Sequence, residues 1–391
     1  MDGRATEVHA QVASLLHDSR SVAPDQLGAF LGARGPEFGM REMSVYVTDY
    51  EQRHLIPIPG SADLAPLGIE NSLAGVAFTT VSHAEEVVSG GVRLWTVVID
   101  GAARLGVMSA VFVEVDHEAR SLAKSLAGVV AALLVTRGQC TDEYTVLQRS
   151  QKFTLAAEMQ WQLLPPLSLD SGNVSVAGLI QPAYEVGGDC FDYAVNGDVL
   201  DFAVFDAMGH GLESSQLSHL AVTSYRHSRR LGLDVRDMFR AMDEIIAQDD
   251  RRVSFVTCIL GRLTLSTGEL EWINVAHPLP FLIRDREALG PLRCEPTLPA
   301  GLGGGVAEVA HEVLQPGDRL CCITDGVVDA HRPGGDDFGE ERLRTVLAYH
   351  SQVGDDPMET VRQLTHEVLD HHGYLSDDTT VFLVEYRAAE E

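Results

Sequence analysis

The sequence predicts an α+β fold: a C-terminal αββα sandwich of two antiparallel sheets flanked by helices, preceded by an N-terminal α+β domain and a connecting helix. Three observations predict it. Strand-like runs dominate from residue 173 to residue 386, helical patterns interrupt them in two blocks, and a length of 391 residues allows two or three domains.

Composition narrows the choice of partners. The chain has 57 acidic and 29 basic residues, a formal net charge of -28, and such a surface repels nucleic-acid phosphates and anionic lipid. We therefore expect neither nucleic acid nor a membrane as partner, whereas a metal cation or a basic protein patch would be attracted.

The cysteines and the apolar runs indicate the cellular compartment of the protein. The six cysteines form no CxxC pair and are interpreted as small buried residues of a reducing compartment. No signal peptide is recognised, and the longest apolar run, residues 126–135, is too short to cross a bilayer. The sequence thus predicts a cytoplasmic protein.

Residues 1–136 are predicted to form the first domain. A helical stretch precedes strands at residues 42–50, 94–100 and 106–115, and a helix from about His117 to Arg137 closes the unit. Over roughly residues 20–137 this pattern resembles a GAF domain, without a diagnostic ligand signature. The resemblance implies a regulatory domain.

Residues 137–166 are predicted to be a linker helix. No glycine or proline lies between Gln139 and the double proline that starts at Pro165, which favours one continuous helix. A heptad-like stripe of Val146, Phe153, Ala156 and Leu163 would suit pairing into a homodimer. A linker packed on its own chain explains the stripe equally well, and both interpretations stay open.

Residues 167–391 are predicted to form the sandwich domain. Strands at residues 190–195 and 199–205 are joined by the turn Asn196-Gly197, a strongly favoured hairpin connection. Further strands are predicted within residues 172–180, 255–277, 319–330 and 379–386, and helices at residues 213–231, 235–249, 340–350 and 357–373.

Carboxylates recur where these apolar strands end. Asp189, Asp206, Asp325 and the pair Asp377-Asp378 all lie beside turn signals. One such aspartate is most simply a turn or cap residue, but several buried carboxylates in one place require a cation. Their hard oxygen donors suit Mg²⁺ or Mn²⁺ rather than a structural zinc.

Six motifs in order resemble a known family. They are "VGGDCFDY", "FDAMGHG", "GRLTLSTGELEWINVAHPLPFL", "LQPGDRLCCITDGVVDA", "FGEERL" and "SDDTTVFLVEY". In order and spacing they resemble the metal-dependent serine/threonine phosphatases of the protein phosphatase 2C (PPM) class, most closely the bacterial SpoIIE-type branch. The resemblance spans about residues 150–387, including the helix that ends "LLPP".

The resemblance implies a two-metal site with two Mn²⁺ or Mg²⁺ ions. Asp189 and Asp206 would bind or bridge the metals with the backbone carbonyl of Ala207, and Asp325 and Asp377 would hold the second metal. Asp378 is the second choice for the last ligand, and the nearby Asp192 would order the site through water. The implied reaction is attack of a water on phosphorus, without a covalent nucleophile.

Two histidines and two departures from the family pattern accompany these motifs. Ala207-Met208 replaces a commoner pair of small residues, and His277 lacks the usual preceding glycine. His210 is either a proton donor to the leaving serine oxygen or a structural residue of a helix start. His277 is interpreted as a loop-packing residue.

The predicted function is hydrolysis of phosphoserine or phosphothreonine on a protein, regulated by the N-terminal domain. The family resemblance implies a phosphorylated anti-anti-sigma (STAS-type) protein of a partner-switching pathway as substrate. Two alternatives remain: a catalytically weak signalling scaffold, and a hydrolase of small phosphoesters.

Overall fold

The computed structural model describes residues 2–60, 64–185, 187–248, 254–331, 335–372 and 378–388. The chain divides into two compact units, residues 1–152 and 153–391. The first unit has one β-sheet and the second has two, and each unit has its own hydrophobic core.

The N-terminal unit is an α+β domain built on one antiparallel sheet. Its elements are α1 (Asp2–Ser19), α2 (Leu27–Arg34), β1 (Glu42–Thr48), β2 (His54–Pro57), β3 (Leu67–Gly68), α3 (Leu73–Thr79), β4 (His83–Val88), β5 (Gly91–Asp100), β6 (Ala103–Phe112), α4 (His117–Gly138) and α5 (Glu143–Leu147). The described residues form a six-stranded sheet of order β3-β2-β1-β6-β5-β4, and α4 packs on β5 and β6. The predicted strands and closing helix are present, while the likeness to a GAF domain stays a prediction.

Helix α4 is longer than the apolar run within it. The carboxylate of Asp116 caps it by accepting a hydrogen bond from the backbone N–H of Ala119 at 2.8 Å. By length and composition alone, α4 would be able to cross a membrane. Its inner face, with Leu126, Val130 and Leu134, is buried in the core of this unit.

The prediction of one continuous linker helix is wrong. Helix α5 ends at Leu147, and a new helix, α6 (Leu155–Leu163), begins only after a non-helical stretch. The hydroxyl of Thr154 caps α6 by accepting from the N–H of Ala157 at 3.1 Å, and the ring of Phe153 packs against Trp161 and Tyr184.

This break also removes the predicted stripe. Val146 lies on α5 and is 59% exposed, whereas Ala156 and Leu163 lie on α6 and are buried in the C-terminal unit. The four residues are therefore not on one helix face, and they offer no basis for pairing two chains.

The C-terminal unit contains two antiparallel sheets. The elements that follow α6 are β7 (Ser168–Asp170), β8 (Val174–Gln181), β9 (Asp189–Asn196), β10 (Val199–Ala207), α7 (Leu212–Arg230), α8 (Val235–Ala247), β11 (Val256–Thr264), β12 (Glu269–Val275), β13 (Phe281–Arg284), β14 (Glu287–Pro291), β15 (Ala310–Val313), β16 (Arg319–Ile323), α9 (Asp325–Val328), α10 (Gly339–Val353), α11 (Pro357–His372) and β17 (Thr379–Tyr386). The sheet that contains β10, called the β10 sheet, has the order β15-β12-β11-β10-β9, and the β17 sheet has the order β14-β13-β16-β17-β8-β7.

The predicted αββα layering is confirmed. Phe382 of the β17 sheet packs against Phe191 and Phe202 of the β10 sheet, with ring centroids 5.4 and 5.9 Å apart, so the two sheets share a buried apolar core. Helices α7 and α8 cover the outer face of the β10 sheet, and α10 and α11 cover that of the β17 sheet.

The predicted hairpin between β9 and β10 is present, but its turn lies one residue later than expected. Asn196 and Val199 pair, so Gly197 and Asp198 are the two turn residues, and Gly197 has the positive φ of 61° that suits the first position of such a turn. Moving a two-residue turn by one position changes which residues face each other across the strands. The observed register places Asp189 opposite Asp206.

Candidate active site

Two of the predicted ligands are direct neighbours at one end of the β10 sheet. Asp189 is the first residue of β9, and Asp206 lies one residue before the end of β10. They are register partners in an antiparallel pair, which places their Cβ atoms about 5 Å apart on the same face. The hairpin alone therefore brings two carboxylates together.

Asp189 is buried and held by two hydroxyl groups from the other sheet. Its Oδ2 accepts hydrogen bonds from Oγ1 of Thr324 at 2.6 Å and from Oγ1 of Thr380 at 2.7 Å. Burial, followed by the charges of Asp378 and Asp206, raises the pKa of Asp189 well above its usual range, and the two hydroxyls oppose this rise. A bound cation would favour the ionised carboxylate.

The same two threonines bring the ends of β16 and β17 to the site. Thr380 donates its backbone N–H to Thr324 Oγ1 at 2.9 Å. Gly326 lies so close to Asp378 that a Cβ on Gly326 would be 2.0 Å from the Asp378 carbonyl oxygen, a distance that only glycine permits. Asp325, the exposed first residue of α9, therefore lies beside the chain segment of Asp378.

Asp378 fixes the turn that precedes Asp189. Its Oδ2 accepts from the backbone N–H groups of Gly187 at 2.8 Å and Gly188 at 2.7 Å. One oxygen of the carboxylate thus orders the glycine turn. Asp377, the preferred ligand of the pair, lies outside the described residues, so the choice between the two remains a prediction.

The carbonyl of Ala207 faces the same glycine turn. The N–H of Ala207 donates to the carbonyl of Gly188 at 3.3 Å, and a Cβ on Gly188 would lie 2.8 Å from the Ala207 oxygen. Ala207 itself is buried. Glycine at position 188 lets this carbonyl, a predicted metal ligand, approach the turn that carries Asp189.

Asp192 does not have the role expected of it. Its two carboxylate oxygens pair with Arg226 at 2.6 Å and with Arg229 at 2.7 Å, both on α7, and its side chain is buried. The structure therefore corrects the expectation of an aspartate that orders the site through water. Asp192 anchors α7 to the strand that begins with Asp189.

Two further buried residues hold the backbone of the site and were missed from the sequence. The side-chain amide of Gln160 on α6 donates to the backbone carbonyl of Asp189, and the hydroxyl of Ser218 on α7 donates to the carbonyl of Gly188. A glutamine among the apolar residues of α6 was the available signal, because a buried amide needs a partner.

The two histidines differ in their surroundings. His210 is exposed in a turn between Gly209 and Gly211, which have positive φ angles of 98° and 72°. His277 is buried, and its Nδ1 lies 2.8 Å from Oγ1 of Thr257. Burial lowers the pKa of His277 to about 3, partly opposed by the carbonyl of Ile323, so its ring is neutral and packs in the loop.

The donor atoms at this end of the sheets fit a hard divalent cation. Asp189 and Asp206 supply carboxylates and Ala207 a carbonyl, and within the described part of the chain no arginine, lysine or histidine forms an ion pair with Asp189. The described residues do not by themselves complete a group of three acidic, histidine or cysteine side chains around one ion. The predicted ligand set includes Asp377, which is outside those residues.

Comparisons with known proteins find a family and a curated relative that are similar to this chain. Residues 196–387 match the family described as Stage II sporulation protein E (SpoIIE). Protein IcfG of Synechocystis sp. is 24% identical over 259 residues, which are 59% of this chain and 40% of that protein. The chain thus spans about two fifths of the length of this curated relative.

Solved structures of bacterial phosphatase domains are also similar. The RsbU and RsbW domains of Rv1364c from Mycobacterium tuberculosis are 27% identical, with a TM-score of 0.49 over 56% of this chain and 61% of that chain. The PP2C phosphatase domain of SpoIIE from Bacillus subtilis, with a fragment of its regulatory domain, is 16% identical, with a TM-score of 0.48 over 98% of this chain and 97% of that chain. By the match over residues 196–387, the C-terminal part of this chain is similar to the SpoIIE family.

Proposed function

We propose that the chain is a metal-dependent protein phosphatase that hydrolyses phosphoserine or phosphothreonine. The observation that carries the proposal is the direct pairing of Asp189 with Asp206 where the ends of β16 and β17 also meet. Asp189 is buried and Asp206 is half-buried, and two carboxylates this close repel each other unless a cation lies between them. The match to the SpoIIE family suggests a phosphoryl-transfer role for that cation.

The proposed ligands are Asp189, Asp206, the Ala207 carbonyl, Asp325 and Asp377, with Asp378 as the second choice. When bound, two Mn²⁺ or Mg²⁺ ions would lower the pKa of a water and offset the charge of the phosphoryl group. The chain's own groups set the geometry. Thr324 and Thr380 orient the Asp189 carboxylate, and Asp378 fixes the glycine turn before it.

The proposed substrate is a phosphorylated anti-anti-sigma (STAS-type) protein. The support is the motif resemblance to the SpoIIE-type branch together with the family match. The -28 charge of the chain favours a target with basic residues near its phosphorylated serine, and such attraction weakens as salt rises.

The proposed location is the cytoplasm. The described cysteines are all free, which supports a reducing, cytoplasmic location.

The N-terminal unit is proposed to regulate this activity as a GAF-like domain. Its own sheet and core support independent folding, so removing residues 1–136 is expected to change the rate of hydrolysis without abolishing it. The scaffold alternative predicts binding of the phosphoprotein without turnover. The small-ester alternative predicts turnover of an aryl phosphate and none of the phosphoprotein.

One experiment separates these proposals. The purified full chain is assayed with Mn²⁺, with Mg²⁺ and with chelator, on an aryl phosphate, a phosphorylated anti-anti-sigma protein and a generic phosphopeptide. We expect metal-dependent hydrolysis, fastest on the phosphoprotein. Equal rates on phosphoprotein and phosphopeptide would remove the partner-switching assignment, and undiminished rates in chelator would remove the metal-dependent one.

A further inference from the structure

A groove lined by proline, glycine, apolar and uncharged polar residues lies at the same end of the β10 sheet as the candidate site. It has a volume of about 860 Å³. One wall is the loop after β12, residues 276–279, and the other is formed by residues 296–299 and 304–306. The proposed phosphatase chemistry makes no use of this groove.

The groove begins close to the candidate site, along the edge of the sheet. His277, in the first wall, lies 2.8 Å through Nδ1 from Oγ1 of Thr257, and Thr257 is the register partner of Asp206. On the other side, Ala300 pairs with Val256, whose register partner is Ala207. The groove therefore begins about two strand spacings, or about 10 Å, from Asp206.

The lining has a chemistry that differs from the rest of this acidic surface. The described lining residues include no aspartate, glutamate, lysine or arginine. Leu298 and Val306 expose 52% and 88% of their surface there, and Pro278, Pro296 and Pro299 stiffen the walls. A neutral apolar segment can enter without the repulsion that a -28 chain imposes on acidic groups elsewhere.

We propose that this groove binds an apolar side chain of the phosphorylated substrate protein and so selects which phosphoproteins are hydrolysed. The inference rests on the proposed phosphatase function of the adjacent site. An extended segment advances about 3.3 Å per residue, so the apolar side chain lies about three to five residues from the phosphoserine. Burial of one such side chain against Leu298 and Val306 adds binding free energy to that of the phosphoryl group at the candidate site.

The test uses the full chain with Mn²⁺ and a set of phosphoserine peptides. A single leucine is moved from one to seven residues from the phosphoserine, on either side, in a background of serine and alanine. We expect KM to fall about tenfold when the leucine is three to five residues away on one side, with kcat little changed, as one partly buried leucine allows. Val306→Asp and Leu298→Asp should each remove this preference.

Two controls make the outcome specific. Leu289→Asp alters a residue of β14 on the other sheet that is likewise 55% exposed, and it should keep the preference. Hydrolysis of an aryl phosphate, which is too small to reach the groove, should be equal in all variants. These variants change exposed side chains, so they should fold as the parent does.

The failures are distinguishable. If the parent hydrolyses the aryl phosphate but shows no dependence on leucine position, or if Val306→Asp and Leu298→Asp leave that dependence intact, the groove assignment is wrong. It is also wrong if Leu289→Asp abolishes the preference equally, because added charge alone would then explain the effect. If the metal-loaded parent hydrolyses neither ester, the proposed phosphatase function falls and the groove assignment falls with it.

Discussion

The carboxylates at the end of the β10 sheet and those at the end of the β17 sheet are held by different means. Asp189 and Asp206 sit on paired strands, so the backbone ladder sets their separation. Asp325 and Asp378 lie just outside β16 and β17, where hydroxyls and close glycine contacts hold the chain. The β10 side of the site is part of a pair of hydrogen-bonded strands, whereas the β17 side is held by contacts outside the strands.

Because of this difference, the chemical identity of a metal ligand can be tested separately from its position. A conservative change on the β10 side removes a charged metal ligand and leaves the backbone hydrogen bonds between β9 and β10 intact. A change on the β17 side also loosens the contacts that bring the two sheets' ends together. The predictions below are ordered by their expected effect on turnover.

The largest fall in turnover is expected where a charged metal ligand is lost. Asp206→Asn and Asp325→Asn each keep the side-chain shape but remove a charge from the proposed cation site, and each should lower kcat by roughly a thousandfold or more. Circular dichroism should show the parent's fold. Mn²⁺ should raise the Tm of Asp206→Asn less than that of the parent, because fewer ligands bind it. Parent-like activity of both variants would contradict the two-metal assignment.

Changes at Asp378, which holds the turn of Gly187 and Gly188, test how strongly turnover depends on the position of Asp189. Asp378→Ala removes the acceptor of the Gly187 and Gly188 N–H groups and should lower turnover about a hundredfold, with a higher Mn²⁺ concentration for half-maximal rate. Asp378→Asn keeps an acceptor oxygen, so its turnover should fall much less. If Asn and Ala are equally damaging, Asp378 acts through its charge, which would make it a metal ligand in place of Asp377.

How much of this was predictable depends on which forces place each group. The αββα layers and the strand ends that carry Asp189 and Asp206 follow from apolar runs bounded by turns. Their direct pairing did not, because an Asn196-Gly197 turn would have set another register. The sequence pattern does not show that Gly197 takes the first turn position.

The rest was decided by contacts distant in sequence. The N–H of Thr154 donates to the carbonyl of Tyr184 at 3.1 Å, and Phe153 packs on the Tyr184 ring, so the predicted continuous linker helix is interrupted despite the absence of glycine and proline there. Likewise, nothing local to Thr324 marks it as a partner of Asp189, and Gln160 among apolar residues indicates that it needs a partner but not which one. Such tertiary hydrogen bonds leave no periodic signal along the chain.

A smaller effect is expected at the hydroxyls. Thr324→Val removes one of the two hydrogen bonds to Asp189 Oδ2 and also the acceptor of the Thr380 N–H, while it keeps the side-chain volume. Turnover should fall about tenfold, mainly through weaker Mn²⁺ binding that excess metal partly restores. Thr324→Ser, which retains the hydroxyl, is the matched control. An equal loss in both variants would point to packing instead of hydrogen bonding.

The smallest effect on turnover is expected at Asp192, although it is the next acidic residue along β9 after Asp189. Asp192→Asn leaves Arg226 and Arg229 with a neutral partner in a buried place, and it should lower the free energy of unfolding by about 3 kcal/mol. The folded enzyme should keep its kcat within about threefold and its Mn²⁺ requirement unchanged, because the ladder still holds Asp189 against Asp206. Urea unfolding and steady-state kinetics at a temperature well below Tm measure the two quantities separately. A large loss of kcat with unchanged stability would instead restore Asp192 to a role in ordering the site, and would show that α7 and the metal ligands are coupled more tightly than the strand register alone requires.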